Sequence, residues 1–273
     1  QIASGKLSPG HSALLTKFLS TSLSEGGAKD LVTDLLLSPA PDLRRAAWQM
    51  IGLMPKVSSY PVWSPSLKQA LKETTIHSPD LGSVIEAIAK VQSADFDGEL
   101  QAIINHPHAS SWVQLKAISA LLRPGERLTA HHFSRLLETA QRSESPMNRV
   151  DAAKLLVRTR LSKDQMRAIV EIIPAVDATT LLTLLPLALR TEDPEMREQW
   201  ARQTAQSPYV SSIQESTFRR NFLRLDPAIY EEVVGPVVRR ASEEVDARKR
   251  KLEALSASAP GHIKEGRDVF KQS

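Results

Sequence analysis

One helical pattern recurs along this chain of 273 residues and narrows what it can fold into. Its fullest copy is Pro41-Asp42-Leu43-Arg44-Arg45-Ala46-Ala47-Trp48-Gln49-Met50-Ile51. Pro79-Asp80-Leu81 repeats the opening and runs into Val84, Ile85, Ile88 and Val91. Trp112-Val113-Gln114-Leu115-Lys116-Ala117-Ile118 follows, then Asn148-Arg149-Val150-Asp151-Ala152-Ala153-Lys154-Leu155-Leu156, then Pro194-Glu195-Met196-Arg197-Glu198-Gln199-Trp200-Ala201. Aligning Ala47, Ile85, Ala117 and Ala152 gives steps of 38, 32 and 35 residues, with a longer step of 48 to Trp200. Self-similarity at such a period, in units that are each helical, predicts stacked helical repeats.

Four of the five copies open on a proline with Asp, Ser or Asn close by, and the Trp112 copy opens on Ser110-Ser111. Proline suits the first helical turn, where its missing N–H would have been unpaired, and the short polar side chain can cap the free amides. Leu43, Ala46, Ala47, Met50 and Ile51 then recur at three- and four-residue spacing, so one face is apolar. Applied along the chain, this reading predicts a short helix over 11–23 and then six hairpins. They pair 28–37 with 43–54, 66–76 with 81–91, 97–104 with 111–122, 129–142 with 147–160, 165–173 with 179–190, and 196–206 with 212–223. Lys56 to Pro65, with two prolines and two aromatics, reads as an extended connection packed on the stack. Asp226-Pro227 opens a new helix, Gly235-Pro236 is expected to kink it, and a long charged helix follows over 237–255. On that helix Val237, Val238, Ala241, Val245, Arg248 and Leu252 leave a narrow stripe, as expected of a capping or bridging element. Ser256 to Gly261 is a linker by composition.

The pattern of Pro, then hydrophobic-Arg-x-Ala-Ala, then a leucine-type residue resembles HEAT and related armadillo-like repeats. The resemblance implies an all-α, α-α superhelix over residues 26–224, preceded by an N-terminal segment (1–25), capped by residues 225–257 and followed by residues 258–273. It implies an interaction surface on the concave face, for other domains of the same chain or a protein partner.

Composition agrees with that class. Hydrophobic residues make up 41% and aromatics 5%, enough for an extended core, while alternating strand-type runs are missing. The longest apolar run, 179–189, is broken by Pro186 and falls short of the roughly 20 residues that span a bilayer. Cysteine is absent, which excludes disulfides and thiolate metal sites within these residues. Gln1 is not a natural initiator, so the sequence reads as a segment of a longer chain.

Candidate chemistry is sparse. His106-Pro107-His108 and the adjacent His131-His132 lack metal-ligand spacing, because neighbours on a helix point about 100 degrees apart. Glu231-Glu232 and Glu243-Glu244 sit among arginines and read as ion-pair partners rather than a shielded acid–base pair. No phosphate loop or nucleophile elbow is visible, so neither a catalytic residue nor a metal ligand is expected. Arg44-Arg45, Arg149, Arg219-Arg220 and Arg239-Arg240 raise the alternative of a nucleic-acid-binding module. Interleaved acids, and a net charge of only +4, favour instead arginines that bond carbonyls or acids of the next repeat. Trp48, Trp112 and Trp200 occupy similar repeat positions and are expected in the core.

The tail differs. Glu265-Gly266-Arg267-Asp268-Val269-Phe270 resembles the first helix of c-type cytochrome domains, in which a glycine allows close helix crossing and a phenylalanine packs near the haem. Gly266 and Phe270 carry the match; the Cys-x-x-Cys-His motif lies outside the sequence. Helical repeats followed by such a helix are similar to a family of exported bacterial dehydrogenase-like proteins. That resemblance implies a non-catalytic spacer within a periplasmic or exported electron-transfer protein, haem c in the parent, and no cofactor in this segment.

Overall fold

The computed structural model describes residues 25–54, 61–123 and 127–258, and among these it is all-helical, with one isolated bridge between Arg127 and Arg160 and no strand. The expected helix over 11–23, residues 55–60 of the connection and the tail with Gly266 and Phe270 lie outside the described residues. Two compact units divide the chain, residues 1–161 and 162–273.

The first unit contains α1 (Glu25–Leu36), α2 (Pro41–Leu53), α3 (Ser64–Glu73), α4 (Leu81–Val91), α5 (Asp97–Asn105), α6 (Ser111–Leu121), α7 (Ala130–Arg142) and α8 (Pro146–Arg158). They pair as expected: α1 on α2, α3 on α4, α5 on α6 and α7 on α8. The second helices also form a chain of neighbours, α2 on α4, α4 on α6 and α6 on α8. The predicted apolar face supplies those contacts. Ala46, Ala47 and Ile51 of α2, Val84, Ile85 and Ala87 of α4, Ala117 of α6, and Ala152, Ala153 and Leu156 of α8 are fully buried. Small residues at the crossings let the helix axes approach closely.

Local signals set the helix starts. Ser110, Thr129 and Ser145 accept hydrogen bonds from the backbone N–H groups of Val113, His132 and Asn148. The end of α4 is less comfortable, since Gln92 takes a left-handed conformation (φ 52°) where glycine is usual. One expectation fails at the connection. Pro61–Trp63 is a 3-10 turn leading directly into α3, not an extended strand of chain. Burial explains it, because Trp63 is fully enclosed and its Nε1 donates to Thr33 Oγ1 at 2.9 Å.

The second unit contains α9 (Lys163–Ile172), α10 (Ala178–Leu184), α11 (Pro194–Ala205), α12 (Glu215–Leu225), the short α13 (Pro227–Ile229) and α14 (Gly235–Ser258). Ser162 forms the predicted cap, reciprocated by the Gln165 side chain as a capping box. The helix expected over 179–190 is α-helical only to Leu184 and continues as a 3-10 segment to Arg190, since Pro186 has no N–H for the α pattern. A π turn over Tyr230–Val234 precedes Gly235-Pro236. The five-residue bonding pattern absorbs the missing proline N–H without ending the helix. Gly235 relieves crowding there: a Cβ would sit 3.0 Å from the Tyr230 carbonyl oxygen. Leu184, Leu187, Trp200, Phe218, Phe222 and Tyr230 form this unit's core.

Candidate functional site

The arginines singled out by the repeat pattern hold the chain together. Arg44 donates through Nη1 to the carbonyls of Ser38 (3.1 Å) and Pro39 (3.0 Å). Arg149 repeats this geometry, donating to Ser143 at 2.5 Å and Glu144 at 3.5 Å. Arg197 Nε donates to Thr191 at 3.0 Å. All three stand three residues after the helix-opening proline (Pro41, Pro146, Pro194) and reach the carbonyl six residues back. A guanidinium that bonds the incoming loop fixes the angle at which the chain enters the helix. The Pro-x-x-Arg signal was therefore present in the sequence, although this shared role was not evident from it.

Within each unit, a second set of polar contacts ties neighbouring helical hairpins together. Arg45 bonds both oxygens of Asp80, at 2.6 and 2.9 Å, and also meets Asp42 at 2.9 Å. The hydrogen bonds it donates to Asp80 raise the Arg45 pKa above its ordinary value. Lys116 of α6 pairs with Glu86 of α4, and His132 Nε2 lies 3.0 Å from Gln101 Oε1. In the second unit Lys163 Nζ lies 2.7 Å from Asp193 Oδ2. The Lys163 hydrogen bond holds the Asp193 carboxyl below its ordinary pKa.

The remaining candidates do not converge. His106 accepts a hydrogen bond from the His108 backbone N–H, and His132 is buried against Gln101. Among the described residues, no three His, Cys, Asp or Glu side chains gather in a metal-holding group. Glu231 pairs with Arg239 at 3.3 Å, eight residues on rather than at the i, i+4 spacing expected of helix neighbours, while Glu243 and Glu244 are exposed. Arg219, Arg220 and Arg240 are exposed on the second unit. Burial is the main reason the Tyr230 phenol is pushed above its ordinary pKa, with the Glu215 carboxylate adding to it; Glu215 Oε1 lies 3.5 Å from the phenol. No helix among the described residues is long and apolar enough to cross a membrane.

The tryptophans separate. Trp48 and Trp200 are buried as expected, but Trp112 is 39% exposed. The outer edge of its ring reaches Gly82 of α4, so close that a Cβ there would fall 1.9 Å from Cη2. The Lys116 ammonium sits 5.4 Å from the ring centroid. Trp112, Leu115 and Leu155, with Lys116, Lys154, Arg158, Ser119 and Asp151, line a shallow depression of about 190 Å³ between α6 and α8. Its two ammonium groups are already paired, Lys116 with Glu86 and Lys154 with Asp151, so the depression is an aromatic wall beside mixed charge, which suits a contact surface. Comparison with protein-family models, with characterised proteins and with solved structures returns no match for this chain.

Proposed function

We propose that this chain is a non-catalytic scaffold: a HEAT-like (armadillo-type) helical-repeat superhelix that spaces and contacts other modules. The observation that carries this reading is the register of its contacts. Each second helix of the first unit packs on the next, and polar ties join residues about one repeat apart, such as Arg45 with Asp80 and Glu86 with Lys116. A stack built on neighbour contacts conserves shape rather than enclosing a reaction. The first-unit arginines that could have gripped phosphates, Arg44, Arg45 and Arg149, bond carbonyls and carboxylates instead, which weighs against a nucleic-acid module. The resemblance at Gly266 and Phe270 extends the proposal to a spacer in an exported, haem c-containing electron-transfer protein. That extension rests on the tail alone.

Truncation tests the scaffold. A chain ending at Leu161 is expected to retain cooperative unfolding and the ellipticity of its own helices, since its core lies within that unit. Loss of all structure would defeat the neighbour-contact reading. Sequencing the gene beyond Ser273 tests the extension independently: Cys-x-x-Cys-His within a few dozen codons is expected, and its absence ends the haem proposal.

A further inference from the structure

The outer part of α14 has no covering. Every residue from Ser242 to Ala254 is exposed. Yet Val238, Val245 and Leu252 fall seven residues apart on one face, with Ala241 and Arg248 between them. Val238 is buried at the base, where α14 packs on the turn Val210–Ser212, whereas Val245 and Leu252 are 46% and 61% exposed. Apolar residues recurring every seven positions make the seam of a two-helix coiled coil.

The charges beside that seam are divided along the helix. Glu243, Glu244 and Asp246 form an acidic block, followed directly by Arg248, Lys249, Arg250 and Lys251. A parallel copy would set like charge beside like and place Arg248 against itself in the seam. An antiparallel copy sets the acidic block of each helix against the basic block of the other, around a two-fold axis.

We infer that α14 is a self-association element that pairs antiparallel with α14 of a second copy of this chain, centred near Asp246 and Ala247. In that register Glu244 meets Lys251 of the second copy, twice by symmetry, and Leu252 of the second copy comes to rest opposite Ala241. The structure holds a receptacle at that position. Val238, Ser242 and Val245, which flank Ala241 on the helix, join Val210, Ile213 and four polar residues of the 211–215 segment, Glu215 among them, to line a depression of about 200 Å³. The two-fold axis makes two such sockets, each filled by a leucine from the other chain. Seam and charge order are both read from α14, and the depression shares Val238 and Val245 with the seam; one antiparallel arrangement satisfies all three.

Sedimentation equilibrium on the whole chain is expected to show a dimer. Leu252→Asp is expected to weaken it by at least about tenfold, the scale of removing a buried apolar anchor. At concentrations where both proteins are monomeric, its helical ellipticity and melting should match those of the unaltered chain, because Leu252 is exposed in the single chain. The natural sequence has no cysteine, which makes orientation directly readable. Glu244→Cys mixed with Lys251→Cys is expected to form an intermolecular disulfide, and neither variant alone should do so. A monomer at every concentration, a dimer indifferent to Leu252→Asp, or preferential cross-linking of Glu244→Cys to itself would each overturn the assignment.

Discussion

Arg45 and Asp80 are 35 residues apart in sequence and meet through two hydrogen bonds, Nε to Oδ1 at 2.6 Å and Nη2 to Oδ2 at 2.9 Å. The forked guanidinium matches the carboxylate, so the pair fixes orientation as well as distance between α2 and the start of α4. With Arg45 43% exposed, solvent screens much of the attraction. Asp80→Ala is expected to cost about 0.5–1 kcal/mol. Arg45→Lys should recover little of it, because an ammonium cannot make both bonds. Urea unfolding of the two single variants and the double variant checks this; a coupling energy near zero would refute it.

Gly82 leaves room for the Trp112 ring, which lies where a side chain on α4 would otherwise begin. Adding a methyl at Gly82 forces the indole off α4, since the new carbon would overlap the ring. Gly82→Ala is expected to lower stability by about 1–3 kcal/mol. The displaced ring should also shift its fluorescence to longer wavelength. In a Trp112→Leu background the same substitution should cost clearly less. An equal cost in both backgrounds would show that the ring does not impose the glycine.

Trp200 and Thr204 lie one turn apart in α11, both fully buried, and among the described residues neither Trp200 Nε1 nor Thr204 Oγ1 has a hydrogen-bond partner. A buried hydroxyl without a partner is a cost that an isosteric apolar side chain removes. Thr204→Val is therefore expected to raise stability, by about 1 kcal/mol. Thermal melting decides the sign.

Asp193 caps α11 by accepting from the Glu195 N–H, and Lys163 is the largest cause of its lowered pKa. A carboxyl whose folded pKa is depressed below its unfolded value adds stability that is complete above the unfolded value. That contribution is lost as pH falls through the folded one. The sensitive window for this group lies at and below pH 3.8, the ordinary value. Lys163→Met is expected to move the Asp193 titration upward and to shift the acid-unfolding midpoint toward higher pH. Carboxyl-carbon NMR titration reads the first, and circular dichroism during acidification reads the second. An unmoved titration would show that the helix amides alone hold the carboxyl down.

How much of this was legible depended on range. Element type and most boundaries followed from proline, capping residues and three-to-four spacing, because helix starts are governed by groups within a few residues of one another. The single-turn errors arose at Pro61–Trp63, Pro186 and Pro236, where a missing N–H can yield a 3-10 turn, a π turn or a break. Which outcome prevails depends on what must be buried nearby, such as Trp63 against Thr33.

By itself the sequence determined an all-helical chain, its repeat period, its capped starts and the absence of cysteine chemistry, since all of these are local or compositional. Only the tertiary structure decided that Arg44, Arg149 and Arg197 bond the loops behind them and that Trp112 lies open on Gly82. It also decided that the apolar face of α14 beyond Ala241 is left uncovered. Those outcomes are contacts between groups placed by packing, and the same side-chain pattern allows either a partner or solvent until the neighbouring helix is in position.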